Sequence, residues 1–404
     1  MNRIITLIVF IMFLEISSWS SQAQDLILQT IAANGLEHNQ EALLVKALDE
    51  IRESHIDIAL SDLGHLVKIN PKFRLAQLMY ADLLLARGRP ITDFGNLSYA
   101  PYENIVALRD EAKARWQHYH SPVSSGKVPR SFVQLDEQQR YIFIVDLSAP
   151  RLYVFENLHG IPRLLTDFYV TIGKNGIGKF EEGDQKTPVG VYFVSDFIEP
   201  QQLPDLYGNG AFPINYPNAW DRRNGHTGYG IWLHGTPSNT YSRPPRDSDG
   251  CIIVSNQDLN ALAPYMKIGR TPVILAKSID WIAVDDWKKQ QVRFKQFLEQ
   301  WRKDWESRNP ELYLSHYSKE YSGLGKDYRG WVSYKRRVNL TKKFIKVNIS
   351  GTSIFLYPDR MNILVVTFDQ DYVSDSLKRH YRKRQYWKRE KDGTWRIFYE
   401  GAVS

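Results

Sequence analysis

The chain has 404 residues, 43% hydrophobic and 24% charged, the balance of a globular protein with room for two or three domains. Its net charge of +7 suits an anionic polymer such as a cell wall. No basic run with interleaved aromatics forms a nucleic-acid module, and after the N-terminus no stretch is apolar for long enough to span a bilayer.

The first residues read as a secretory signal over residues 1–23. Arg3 supplies a positive charge, Ile4 to Leu14 an apolar core, and Ser21-Gln22-Ala23 small residues for cleavage before Gln24. The core reaches about 16 Å, roughly half a bilayer. Glu15 is unusual at its end, and no cysteine follows it to accept a lipid. The expected location is the periplasm or cell envelope. Cys251 is the sole cysteine. An exported chain usually pairs its cysteines, so this one is an inert buried thiol, an intermolecular disulfide or a reactive nucleophile.

Residues 24–125 read as helical. Apolar residues recur at helical spacing through Ala42, Leu43, Ala47, Leu48 and Ile51, then Ile58, Ala59, Leu63, Leu66 and Val67, then Leu75, Leu78, Met79, Leu83 and Ala86. Ile56–Arg89 resembles part of a tetratricopeptide array, with Ala59, Pro71 and Ala81 at small or turn positions. Such repeats stack in threes; one or two are visible, which suggests a small helical cap or a site for a protein partner. Ser121 to Pro129 reads as a linker.

From Tyr141 the period changes to that of strands. Tyr141–Val145 and Arg151–Phe155 flank a short turn, and strands with glycine-rich turns continue to about Ala276, interrupted by a helix over Asn256–Met266. An amphipathic helix follows from Trp287, carrying Val292, Phe294, Phe297, Leu298, Trp301 and Trp305. Strands are then expected over Lys346–Ser350, Ser353–Tyr357, Ile363–Gln370, Arg382–Arg389 and Thr394–Tyr399. The fold class is α+β and multidomain. Trp301, Trp305, Tyr313 and Tyr317, with Tyr386-Trp387 and Gly393-Thr394-Trp395, resemble the cone-shaped fold named after nuclear transport factor two, here over residues 285–404. Its aromatics would form the core of the cone or line a pocket.

The chemistry concentrates in Gly230-Ile231-Trp232-Leu233-His234-Gly235-Thr236 and Ser248-Asp249-Gly250-Cys251-Ile252. A thiol attacks as the thiolate, and an imidazole can take its proton. Gly250 permits positive φ or close backbone approach, which would aim N–H groups at a reacting carbonyl oxygen. A Cys/His pair alone leaves the buried structural thiol open. His-Gly-Thr followed by Ser-x-Gly-Cys-Ile, together with Thr187-Pro188-Val189-Gly190-Val191-Tyr192 and the hairpin from Val145 to Phe155, resembles the L,D-transpeptidase (YkuD-type) catalytic domain, expected over 139–277.

The resemblance implies a β-rich fold, peptidoglycan stem peptides as substrate, and no metal or organic cofactor. It makes Cys251 the nucleophile, His234 the base, and Gly235 the carbonyl that orients the imidazole. Asp249, Gly250 and Cys251 become oxyanion donors through their backbone N–H groups. Two departures stand out: Asp249 lies where the family often has His or Arg, and Ile253 where it often has Arg. Arg243, Arg246 and Ser248 are candidate substrate contacts in compensation.

Gly173-Lys174-Asn175-Gly176-Ile177-Gly178-Lys179 imitates a phosphate-binding loop, but Phe180 replaces the hydroxyl that would hold Mg²⁺, so no nucleotide is expected. The expected reaction is transfer of a stem acyl group from Cys251 to an amine. L,D-carboxypeptidase trimming of tetrapeptide to tripeptide is the alternative, and a non-catalytic wall-binding scaffold the second.

Overall fold

The computed structural model describes residues 40–88, 94–95, 101–124 and 126–403. The expected signal peptide lies outside them. No described helix is long and apolar enough to cross a membrane. The chain forms two compact units.

The first unit holds the described part of residues 1–120 together with Ser238–Ser242 and Ser255–Pro264. Its helices are α1 (residues 40–52), α2 (Ile56–Ile69), α3 (Arg74–Ala86) and α4 (Tyr102–His120). The helical periodicity of the sequence has a direct cause: Leu44, Ala47, Ala59, Leu63, Leu66, Leu75, Met79 and Leu83 bury into one core. Turns before Ile56 and Arg74 separate short helices that gain stability from this packing rather than from length. Helix α4 is different: its buried residues are Ile105, Glu111 and Arg115.

The second unit holds Ser121–Pro237, Arg243–Val254 and Tyr265–Ser404. A five-stranded sheet runs in the order Ile161–Tyr169, Arg151–Leu158, Tyr141–Asp146, Pro272–Ala276, Gly190–Phe193. Pro272–Ala276 is parallel to Tyr141–Asp146 and antiparallel to Gly190–Phe193. Beside it, a three-stranded sheet orders Ile252–Ile253, Trp232–His234, Ala211–Pro213. The helix expected over Asn256–Met266 falls mainly in the first unit, as an α-helix at Asn256–Leu262 followed by a 3₁₀ turn at Ala263–Tyr265.

The cone is a second five-stranded sheet: Trp395–Ala402, Lys378–Arg389, Arg360–Ser374, Ile345–Tyr357, Phe132–Gln134. The two strands expected between 346 and 357 are one, broken by a register shift between Ser350 and Ser353. Helices Val284–Glu306, Pro310–Ser315 and Tyr328–Thr341 complete it. Val292 faces solvent at 56% exposure, so the apolar stripe of the first of these runs through Trp287, Phe294, Leu298, Trp301 and Trp305. The expected linker is partly ordered strand: Lys127–Pro129 pairs with Trp281–Ala283, and Phe132–Gln134 joins the cone sheet. The aromatics divide between the two expected roles. Trp301 and Tyr313 are core, while Trp305 also lines a cavity of about 530 Å³ with Trp331, Tyr334, Lys335 and Lys383.

Candidate active site

His234 ends the middle strand of the three-stranded sheet, and Cys251 immediately precedes the neighbouring strand Ile252–Ile253. The pairing is parallel, with Ile252 opposite Leu233 and Ile253 opposite His234. One residue earlier, Cys251 falls opposite Trp232, and Trp232 and His234 share a face because side chains alternate along a strand. Continuing that register, thiol and imidazole rise from one face, about 4.8 Å apart across the sheet and two residues, about 6.6 Å, along it.

The local backbone explains why the sequence folds this way. Gly250 takes φ +121°, and a Cβ there would lie 2.8 Å from the Lys186 carbonyl oxygen, so only glycine lets the chain pass. Thr187 locks the same turn: its Oγ1 donates to the Gly250 carbonyl at 3.0 Å and accepts from Gly173 N–H at 2.9 Å. Ser248 closes it from the other side, donating to the Cys251 carbonyl at 2.7 Å and accepting from Gly250 N–H at 3.1 Å. Two of the expected groups are thus engaged within the turn itself: Ser248 as a buried clamp, and Gly250 N–H as a donor to its Oγ.

The imidazole is fixed by its neighbour. His234 Nδ1–H donates to the Gly235 carbonyl at 2.7 Å, so Nε2 is the basic nitrogen. Burial pushes His234 down to about 4, against the Gly235 bond, and nearby Arg243 adds to the lowering. Burial pushes the Cys251 thiol up to about 11, and Asp249 raises it further. The Trp232 N–H, Lys179 and Arg243 oppose that rise. The thiol donates to the Gly230 carbonyl at 3.4 Å. At neutral pH both groups are uncharged.

Arg243 pairs with Asp247 at 2.8 Å, and its carbonyl accepts from Tyr169 and Thr171. Arg246 is exposed, on a short strand parallel to Ile172–Gly173. Asp249 meets Lys174 at 3.0 Å, both well exposed. Lys179, the lysine of the loop that imitates a phosphate site, is buried against Asp184 at 2.9 Å. Among the described residues, no metal-holding cluster includes Cys251 or His234.

One residue had no signal in the sequence. Tyr207 lies edge-on to His234 with ring centroids 4.9 Å apart, packs on Trp232 at the same distance, and accepts from Gly235 N–H at its carbonyl. It stands in a loop between strands, where neither period nor spacing marks it.

Residues 140–275 match the L,D-transpeptidase catalytic domain, and residues 293–401 the Cds6 C-terminal NTF2-like domain. Bd1075 of Bdellovibrio bacteriovorus is 31% identical, with a TM-score of 0.61 over 69% of this chain and 98% of its own. The chain belongs to the L,D-transpeptidase family. The helical cell shape determining protein Pgp2 of Campylobacter jejuni is also similar, at 25% identity and TM-score 0.57, over 67% of this chain and 95% of its own. The putative L,D-transpeptidase YafK of Escherichia coli K12 is 30% identical over 105 residues. That match spans 26% of this chain and 38% of the relative. The L,D-transpeptidase domain thus carries the Cys251–His234 pair, with the cone-shaped domain joined after it.

Proposed function

We propose that this protein is a cysteine acyltransferase acting on peptidoglycan stem peptides in the periplasm or cell envelope. The observation that carries the reading is the fixed tautomer of His234, whose Nδ1–H is held by Gly235 while Nε2 is left for the thiol on the same face. Cys251 Sγ attacks the carbonyl of the third stem residue, a diamino acid, as Nε2 takes the thiol proton. The N–H groups of Asp249 and Cys251 receive the developing oxyanion. The amide C–N bond breaks, Nε2 returns the proton to the leaving amine, and D-alanine departs. An amine then attacks the thioester and frees the thiol, giving transpeptidation. Buried Ile253 offers no cation where the family commonly has Arg, and Arg243 or Arg246 takes the substrate carboxylate in its place.

L,D-carboxypeptidase action is the second reading: water replaces the amine. Likeness to a cell shape determining protein supports a role in wall shape under either outcome. A non-catalytic scaffold would not need an intact thiol and imidazole on one face.

The test supplies disaccharide-tetrapeptide alone, then with an added D-amino acid or second stem, and identifies products by mass. Exchanged or cross-linked stems support transpeptidation. Tripeptide in both cases establishes hydrolysis. No product in either case, from a folded protein, refutes the enzyme reading.

A further inference from the structure

The loop that imitates a phosphate site carries two lysines, and the fold uses them differently. Lys179 is buried on Asp184, while Lys174 stands at the surface with its ammonium 3.0 Å from the exposed Asp249 carboxylate. Backbone holds both Lys174 and Asp249 beside the nucleophile. Gly173 pairs in parallel with Ser248, so the next residue on each strand comes alongside the other. The Lys174 N–H donates to the Ser248 carbonyl at 2.7 Å, and Ser248 Oγ donates to the Cys251 carbonyl at the same distance. A Cβ at Gly173 would lie 2.5 Å from the Gln185 carbonyl oxygen, so the start of the loop is wedged against the segment that carries Thr187. The charge of Asp249 acts on both Cys251 and Tyr207, which places it at the mouth of the same site. All of these residues belong to the second unit. An ion pair this exposed contributes little to stability, so the fold does not need it closed.

We propose that Lys174 and Asp249 form a specificity-determining pair for the side chain of the third stem residue, selecting a diamino acid whose far end carries an ammonium and a carboxylate together. This inference rests on the acyl-transfer reading above. The carboxylate of that end goes to Lys174 and its ammonium to Asp249, so the ligand replaces one ion pair with two. A stem lying over the site displaces water, and a charge it covers then needs a partner. A far end with an ammonium alone takes Asp249 and leaves Lys174 unpaired. A far end with a carboxylate alone takes Lys174 and strands Asp249. The amino-carboxylate end satisfies both. The acid at position 249, where the family often has His or Arg, gives the pair its second sign. The main-chain carboxylate of the released residue stays with Arg243 or Arg246.

Stem peptides identical except at the third residue test this on the full-length protein. One carries the amino-carboxylate end, one has that carboxylate amidated, and one has a lysine-type end. The wild type is expected to favour the first by about tenfold in kcat/KM, mostly through KM. Lys174→Met should bring the values for the different stems together, and Lys174→Arg should restore the preference. Lys267→Met, which removes an exposed lysine elsewhere in the unit, should keep it. Calorimetric binding to Cys251→Ala protein reads the same preference without turnover. Equal affinity for the amino-carboxylate and amidated stems, or a preference that survives Lys174→Met, would overturn the inference. A wild type that turns over none of the stems, while Cys251→Ala still binds the first about tenfold tighter, would sink the acyl-transfer reading and leave the pair standing.

Discussion

At the scale of single residues, the half-buried thiol of Cys251 and the buried imidazole of His234 set the pH behaviour. His234 in its folded state is pushed down to about 4, so the base stays neutral and competent above that value. The acid limb of kcat/KM is expected near pH 4 rather than near the ordinary histidine value of about 6.5. A limb at 6 or above, measured on stem peptide with the protein still folded, would contradict the burial of the imidazole. Cys251→Ala should abolish turnover and leave the melting temperature within a few degrees, because the side chain's role is chemical. His234→Ala should lower kcat by several orders of magnitude. A carbapenem should add one drug mass to the wild type and none to Cys251→Ala by intact mass. The same scale shows how much of the site was legible. Cys251, His234 and Gly235 stood out because a thiol, an imidazole and two glycine-flanked turns fall in one motif. Ser248 is a hydroxyl beside the cysteine, which suits a substrate contact or a turn clamp alike, and its bonds to Gly250 and Cys251 cannot be read from the sequence. Tyr207 was illegible, since its place beside His234 depends on a fold that brings a distant loop back.

At the scale of elements, legibility followed the chemistry of the buried face. The strand Tyr141–Asp146 is almost wholly buried and almost wholly apolar, so its sequence announces it. The helix Tyr328–Thr341 went unread because its buried residues are Trp331, Lys335 and Asn339, spaced four apart but two of them polar. Lys335 lies 4.4 to 5.1 Å above the rings of Trp305, Trp331 and Tyr313. Burial, then the charge of Lys383, lowers it to about 7. A lysine whose folded pKa lies below its unfolded value binds fewer protons in the native state, so its penalty is greatest below pH 7 and fades as pH rises toward 10. Stability should therefore climb between pH 7 and 10 in the wild type. Lys335→Met should flatten that climb and stabilise the protein at pH 7 by about 1–4 kcal/mol, as read by urea midpoints at each pH. A Lys335→Met protein less stable than wild type would mean that ring contacts outweigh desolvation. In the catalytic sheet, Thr187→Val removes both side-chain bonds that lock the Gly250 turn. It is expected to cost about 1–3 kcal/mol and to slow Cys251 alkylation, whereas a change in stability alone would separate the turn from the thiol.

At the scale of the whole molecule, the catalytic and cone-shaped parts belong to a single compact unit. Their cores merge: Ile144, Phe155, Val191 and Phe193 share a cluster with Phe355, Tyr357, Val365, Tyr386 and Phe398. Trp220 packs on Tyr357 and Phe398, with Arg360 above its ring, and Arg384 covers Phe193 at 3.9 Å. Phe132–Gln134, which precedes the catalytic sheet in the chain, is hydrogen-bonded into the cone sheet. This merger was not legible, because hydrophobic residues on two separate segments do not say that they face each other. It has a direct consequence for a truncation after Asp280, which would otherwise seem the natural way to isolate the catalytic part. That cut removes six buried side chains, Phe355, Tyr357, Ile363, Val365, Tyr386 and Phe398, from a shared core, each contributing about 1.5–3 kcal/mol by burial. The sum is comparable to the 5–15 kcal/mol that holds a typical domain together. It also removes the partner strand of Lys127–Pro129 and exposes Phe132, Phe155 and Phe193. The truncated chain is therefore expected to be insoluble or to melt without cooperativity. Trp220→Ala in the full chain should fold and lose about 1–3 kcal/mol, since Trp220 is only half-buried. A soluble truncated protein with a sharp thermal transition, still alkylated at Cys251 at the wild-type rate, would show that the cone domain is an independent appendage and that the merged core adds nothing the catalytic sheet needs.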